Sequence, residues 1–169
     1  MKTLYIIRHA KSSWKDLGIG DHDRKLNERG KLSAPFMGKK LAEKGEQIDI
    51  YLSSTAKRAF RTARYIAKAF GLKKNEIIQK NELYHAGQRD MLKMINAIHN
   101  SHNSAAVFGH NPGFTDLSNH LTGELIDNIP TCGIVKIEFE VDTWEAISGG
   151  NGRLIWFDYP KRYPEMQGS

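Results

Sequence analysis

Short apolar runs that end abruptly in charge alternate, over most of the chain, with segments whose apolar residues recur every three or four positions. Runs of the first kind are Thr3–Ile7, Ile48–Leu52 and Ala105–Phe108, with a fainter one at Glu76–Gln79, and they read as short buried strands. Between them, Ala59, Ala63, Ile66, Ala67 and Phe70 form a helical stripe that Gly71 stops, and Met91, Met94, Ile95 and Ile98 form another. Leu32, Phe36, Met37 and Leu41 make a third stripe, in which Pro35 predicts a kink or a restart after Ser33. Phe114, Leu117 and Leu121 begin a fourth behind Pro112, and Gly123 closes it.

The C-terminal third changes character. Ile134–Glu140, Trp144–Ser148 and Arg153–Tyr159 are strand-like, separated by turn candidates at Val141–Thr143 and Gly149–Gly152. Strands alternating with helices and followed by hairpins predict an α/β fold, a three-layer α/β/α sandwich. Its central sheet should be mostly parallel, with antiparallel C-terminal strands and a peripheral tail over 160–169. With 169 residues, 40% of them hydrophobic, and neither a repeat nor a linker-like stretch, a single domain over 1–169 is expected.

Composition narrows the function. A net charge of +6 suits an anionic partner, but the Lys and Arg residues form no dense run, which favours a phosphorylated substrate over nucleic acid. Cys132 is the sole cysteine, so neither an intramolecular disulfide nor a cysteine metal cluster can form. The apolar run Leu4–Ile7 is too short for a secretory leader, and Arg8, His9 and Lys11 interrupt it. No segment approaches the roughly 20 apolar residues that span a bilayer. A cytoplasmic protein without a membrane segment is the expectation.

Three charged clusters follow predicted strands: Arg8-His9, Arg58 beyond Ser53-Ser54, and His110 after Gly109. Open α/β sheets bind ligands at the carboxyl ends of their strands, so these residues should converge on one crevice. An imidazole at His9 can attack phosphorus and carry the phosphoryl group before water removes it. Arg8 and Arg58 can grip phosphoryl oxygens while staying charged, and His110 can add a further donor. Arg58 should lie in the first turn of a helix capped by Ser54 or Thr55, where free N–H groups favour an anion. Taken singly, each residue also has an ordinary reading as a cap, turn or solvated charge. His9, His22, His85 and His110 show no paired metal-ligand spacing, so no metal and no cofactor are expected.

The motifs, taken together, resemble those of the histidine phosphatase (phosphoglycerate mutase-like) superfamily, in its SixA-like phosphohistidine phosphatase branch. Leu4-Tyr5-Ile6-Ile7-Arg8-His9-Ala10 is similar to the opening Arg-His-Gly signature, with Ala10 in the place of glycine. Asp23-Arg24-Lys25-Leu26-Asn27-Glu28-Arg29-Gly30 resembles the Leu-Thr/Asn-x-x-Gly segment. The run from Ser54 to Ala63 resembles Ser-x-x-x-Arg-Ala-x-x-Thr-Ala, and Val107–Gly113 the second histidine motif. The resemblance implies that His9 is the phosphorylated nucleophile, with Arg8, Arg58 and His110 completing a cofactor-free phosphate pocket. A proton donor is looked for after the third strand, where Glu82 is a candidate and His85 a second. Glu82 reads equally well as an ordinary exposed glutamate, and a phosphoramidate substrate can dispense with an acid. The short chain leaves little room for a lid, which suits a phosphohistidine on a partner protein. A small-metabolite phosphatase and a non-catalytic phosphate-binding module are the alternatives.

Overall fold

The computed structural model describes residues 1–16 and 18–168. Six strands form one sheet: β1 (Lys2–Arg8), β2 (Ile50–Ser53), β3 (Ile77–Gln79), β4 (Ser104–Gly109), β5 (Ile134–Phe139) and β6 (Gly152–Asp158). Their spatial order is β3-β2-β4-β1-β5-β6. The first four run parallel, whereas β5 pairs antiparallel with β1, and β6 with β5. The predicted mostly parallel sheet with antiparallel C-terminal strands is therefore the one observed.

Helices cover both faces, which is why β1 and β4 are apolar at nearly every position rather than alternating. Helices α1 (Glu28–Glu43) and α2 (Lys57–Ala69) lie on one face. There Tyr5, Ile7, Tyr51 and Phe108 meet Met37, Leu41, Ala63 and Ile66. Helices α3 (Gln88–Asn96) and α4 (Gly113–Thr122) lie on the other, where Leu4, Ile6 and Val107 meet Met91, Ile95, Phe114 and Leu117. No helix among the described residues is long and apolar enough to cross a membrane.

Three local expectations are corrected. Trp144–Ser148 is not a strand: Trp144–Ala146 form a single 3-10 turn. The Trp144 side chain is fully buried, and neighbouring loops take up the backbone polar groups that a ladder would need. Asn96 Nδ2 donates to the carbonyls of Trp144 and Ile147, and the Trp144 N–H donates to Asn100 Oδ1. Pro35 does not make α1 restart: the helix runs on through it, with Ala34, Met37 and Leu41 buried around the missing backbone bond, while Leu32 of the same stripe is exposed. Neither Ser54 nor Thr55 caps α2, whose N-cap is Ala56. The tail lies at the surface over most of residues 160–168, as expected, and is anchored at two points: Pro160 is buried, and Tyr163 packs edge-on against Phe36 of α1 and donates to Asp158. Residue 169 of that tail lies outside the described residues.

The loops that matter most begin where the parallel strands end. Asn27 caps α1 by accepting the Gly30 N–H at 2.8 Å, and its own N–H donates to the Lys11 carbonyl. Gly30 has to be glycine, since a Cβ there would stand 2.2 Å from the Lys11 carbonyl oxygen. The Leu-Asn-x-x-Gly segment thus seats α1 directly on the loop that follows β1.

Candidate active site

His9 is the first residue after β1, and backbone bonds from three directions fix it. Its N–H donates to the Gly109 carbonyl of β4, and its own carbonyl accepts the Cys132 N–H ahead of β5. The next residue, Ala10, donates its N–H to Thr62 Oγ1 on α2. Thr62 Oγ1 in turn donates to the Arg58 carbonyl one helical turn earlier. A single hydroxyl therefore ties the loop carrying His9 to the helix carrying Arg58.

The His9 side chain is 7% exposed. Its Nδ1 lies 2.7 Å from the Ala10 carbonyl oxygen, which can only accept, so Nδ1 bears the proton and Nε2 keeps its lone pair. Burial, reinforced by the charges of Arg58, Arg8 and Arg24, lowers its pKa to about 4 against the opposing bond to Ala10. The ring is neutral at pH 7, as a nitrogen nucleophile requires. The His110 ring lies 5.3 Å away between centroids. Burial, with the His9 and Arg58 charges, lowers its pKa to about 3.

The structure brings Arg8, His9, Arg58 and His110 together at the carboxyl ends of β1, β2 and β4. Arg8 reaches the Ile129 carbonyl through Nη1 at 2.8 Å, and Asn111 Nδ2 donates to that same oxygen. Both histidine-motif segments, at the ends of β1 and β4, are thus tied to one carbonyl ahead of β5. Ser54 Oγ accepts the Ala56 N–H and sits 2.8 Å from His110 Nε2. The other ring nitrogen, Nδ1, has no partner among the described residues. Five buried side-chain polar atoms lack a partner among the described residues, and three of them are Arg8 Nε, Arg58 Nε and His110 Nδ1. Unmade donors of this kind are costly in a folded protein, and their concentration beside His9 marks a place built to receive an anion.

A carboxylate already stands at the rim. Arg58 donates through Nη1 to the Asp21 carbonyl at 2.6 Å and through Nη2 to Asp21 Oδ2 at 3.0 Å. Tyr84 donates to the same Oδ2 at 2.7 Å, His85 Nε2 is 3.5 Å from it, and Arg24 Nε is 3.2 Å from Oδ1. Burial pushes the Asp21 carboxyl up, but the bonds from Tyr84 and Arg58 outweigh it and hold the group well below the usual carboxylate range.

Sequence reasoning did not assign Asp21, Arg24, Tyr84 or Ser54 to the site. Arg24 and Tyr84 lie inside segments singled out for other residues. Asp21 has no spacing signal, because its partners come from three separate elements. Glu82 is exposed and makes no hydrogen bond or ion pair to the cluster among the described residues; it lines a shallow depression beside Tyr84 and His85. His85 and Cys132 are the non-glycine residues with positive φ among those described, at 56° and 60°. Both border the pocket, where strained backbone is characteristically kept.

An α/β sandwich with two histidines and two arginines gathered at adjacent parallel strand ends defines a phosphoryl-handling protein of the phosphoglycerate mutase-like fold. The comparisons give that class its family. Residues 4–86 match the histidine phosphatase superfamily (branch 1). A structure assigned as the phosphohistidine phosphatase SixA of Agrobacterium tumefaciens is 30% identical, with a TM-score of 0.81, covering 94% of this chain and 98% of that one. The protein histidine phosphatase SixA complexed with tungstate shares the fold at a TM-score of 0.77 and 22% identity, over 95% of this chain and 98% of that one. A 2,3-bisphosphoglycerate-dependent phosphoglycerate mutase of Bartonella tribocorum is 37% identical over 92 residues, 53% of this chain but 45% of the mutase. The chain belongs to the histidine phosphatase superfamily, and phosphatase activity is the reaction class this supports.

Proposed function

We propose that the protein is a cofactor-independent phosphohistidine phosphatase that forms a phosphoryl intermediate on His9. The observation that carries the reading is the pairing of a neutral, Nδ1-protonated His9 with unpartnered buried nitrogens on Arg8, Arg58 and His110. His9 Nε2 attacks phosphorus in line, forming one N–P bond as the bond to the substrate's imidazole nitrogen breaks, and that imidazole leaves with its own proton. Water then attacks the phosphoryl group, the His9 N–P bond breaks, and inorganic phosphate departs. Arg8, Arg58 and His110 compensate the charge on the equatorial oxygens throughout. The connections from Lys80 to Gly87 and from His110 to Pro112 are short and hold at most a 3-10 turn, which favours a phosphate presented on another protein.

The likeness to the Agrobacterium SixA structure supports this substrate, and the partial match to a phosphoglycerate mutase supports the alternative of a small phosphorylated metabolite. Metal-free turnover of an aryl phosphate should vanish in His9→Ala; wild-type activity in that variant would refute the nucleophile. Release of phosphate from a phosphohistidine protein, compared with a panel of phosphorylated metabolites, decides the substrate. Glu82 is assigned to leaving groups that need a proton. Glu82→Gln should slow hydrolysis of an alkyl phosphate by about tenfold or more while changing phosphohistidine hydrolysis by no more than about twofold. Equal effects on both substrates would remove Glu82 from the reaction.

A further inference from the structure

The exposed side of α2 carries Lys57, Arg61, Arg64 and Lys68, spaced i, i+4, i+7 and i+11, so that they form one stripe along the helix. At 1.5 Å per residue the stripe is about 16 Å long. Its first member adjoins Arg58, and no acidic residue occurs in α2. Lys25 and Lys31 flank the stripe on one side, with Lys73 and Lys74 on the other. An open groove of about 590 Å³ runs among Lys25, Lys31, Lys57, Arg61, Arg64 and Lys74, with Phe60 and Tyr65 half-buried in its wall, and Lys68 and Lys73 line the adjoining depression.

The positive charge of this face is largely uncompensated. Its eight cations are met by three acids: Asp23 lies 3.9 Å from Lys57, Glu28 lies 3.3 Å from Lys31, and Glu76 is turned to the Lys73 N–H. Arg61, Arg64 and Lys68 have no ion pair among the described residues. The whole chain has 25 Lys and Arg against 19 Asp and Glu, so setting this face aside leaves 17 against 16. Nearly the entire net charge thus lies on one face that begins at the rim of the phosphate pocket.

We propose that this groove is the docking surface for an acidic face of the phosphorylated protein substrate, an inference that rests on the phosphohistidine reading of the pocket. A small metabolite ends within a few ångströms of its phosphate, so most of a 16 Å stripe would lie beyond it. A folded domain presenting phosphohistidine into the pocket brings its neighbouring surface over that distance. Acidic side chains there would meet fixed cations, raising the association rate and setting the domain's orientation.

The test uses an acidic phosphotransfer domain phosphorylated on histidine with phosphoramidate, alongside an aryl phosphate. The triple variant Arg61→Glu/Arg64→Glu/Lys68→Glu should lower kcat/KM on the domain by about tenfold or more, and kcat/KM on the aryl phosphate should stay at the wild-type value, which also verifies folding. Salt should depress the wild-type rate on the domain steeply and the variant's rate weakly. Equal kcat/KM on the domain for both proteins overturns the groove and leaves the pocket's reading intact. Failure of the wild type to dephosphorylate the domain, with aryl phosphate still hydrolysed, overturns the substrate reading and the groove with it. Tighter binding of a single-stranded oligonucleotide than of the domain overturns the protein partner.

Discussion

Arg58 has two duties that pull against each other, because the guanidinium that should hold a phosphate spends both terminal nitrogens on Asp21. Nε has no partner among the described residues, and each terminal nitrogen keeps a second N–H that Asp21 does not use. A carboxylate this close also repels an incoming phosphate, by an amount that is moderate at a partly solvated site but not negligible. Asp21→Asn keeps an oxygen for Arg58 and Tyr84 to bond and removes the charge. Inorganic phosphate should therefore inhibit that variant more strongly, with a Ki about three- to tenfold lower in competition with aryl phosphate. A Ki that rises instead would mean that the charge of Asp21 orients Arg58 more than it repels the ligand. At this scale the sequence was partly legible. Arg8, His9, Arg58 and His110 could be singled out because each follows a strand and sits in a recognisable motif. Asp21 and Tyr84 could not, because their roles exist only once the 3-10 turn Asp21–Asp23 and the segment after β3 have met over α2.

Between elements, Thr62 is the tie on which the pocket's geometry depends. Its hydroxyl accepts from Ala10 and donates to Arg58, joining the loop after β1 to α2. Thr62→Val keeps the shape but leaves the buried Ala10 N–H without an acceptor, a loss of about 1–3 kcal/mol. Urea unfolding should register that loss, and kcat on aryl phosphate should fall with KM little changed, since the displaced group is His9, the proposed nucleophile. An unchanged kcat would detach His9's position from Thr62. The element scale also shows where pattern reading fails. The helical stripes located α1 through α4 because each buries one face against the sheet. Trp144–Ser148 has strand-like residues but no strand to pair with, since Asn96 and Asn100 take its polar groups first. Pro35 looked like a break because a missing backbone bond is visible in sequence, whereas the packing that outweighs it is not.

For the molecule as a whole, two buried neutral imidazoles make stability depend on mild acid. His9 and His110 have native pKa values of about 4 and about 3, against about 6.5 in an unfolded chain. Between pH 6.5 and 4 the unfolded chain binds protons that the native state does not, so the stability these groups allow is full above pH 6.5 and declines as pH falls. Asp21, held ionised by its partners, adds a separate loss at still lower pH, below its ordinary value near 3.8. The urea midpoint should thus drop from pH 7 to pH 4.5, and His110→Asn should show a shallower drop. Parallel slopes in the two proteins would place the acid sensitivity elsewhere. The antiparallel end of the sheet was legible as hairpin-like sequence. Its function was not, because only the structure reveals that Cys132 and Ile129, just ahead of β5, hold His9 and Arg8.

The position of β1 in the sheet has a consequence for synthesis of the chain. The strand that leads into His9 lies between β4 and β5, which follow it in the chain by a hundred or so residues. Its backbone groups have no ladder on either side until then, and pairing over such separations is slow because loop closure precedes any gain. A nascent chain ending after β3 would expose the apolar run of β1 as an unpaired, aggregation-prone template. The surroundings of His9 are therefore complete only once the segment through Phe139 has left the ribosome, because β4, Ile129, Cys132 and β5 must all be present to hold Arg8 and His9.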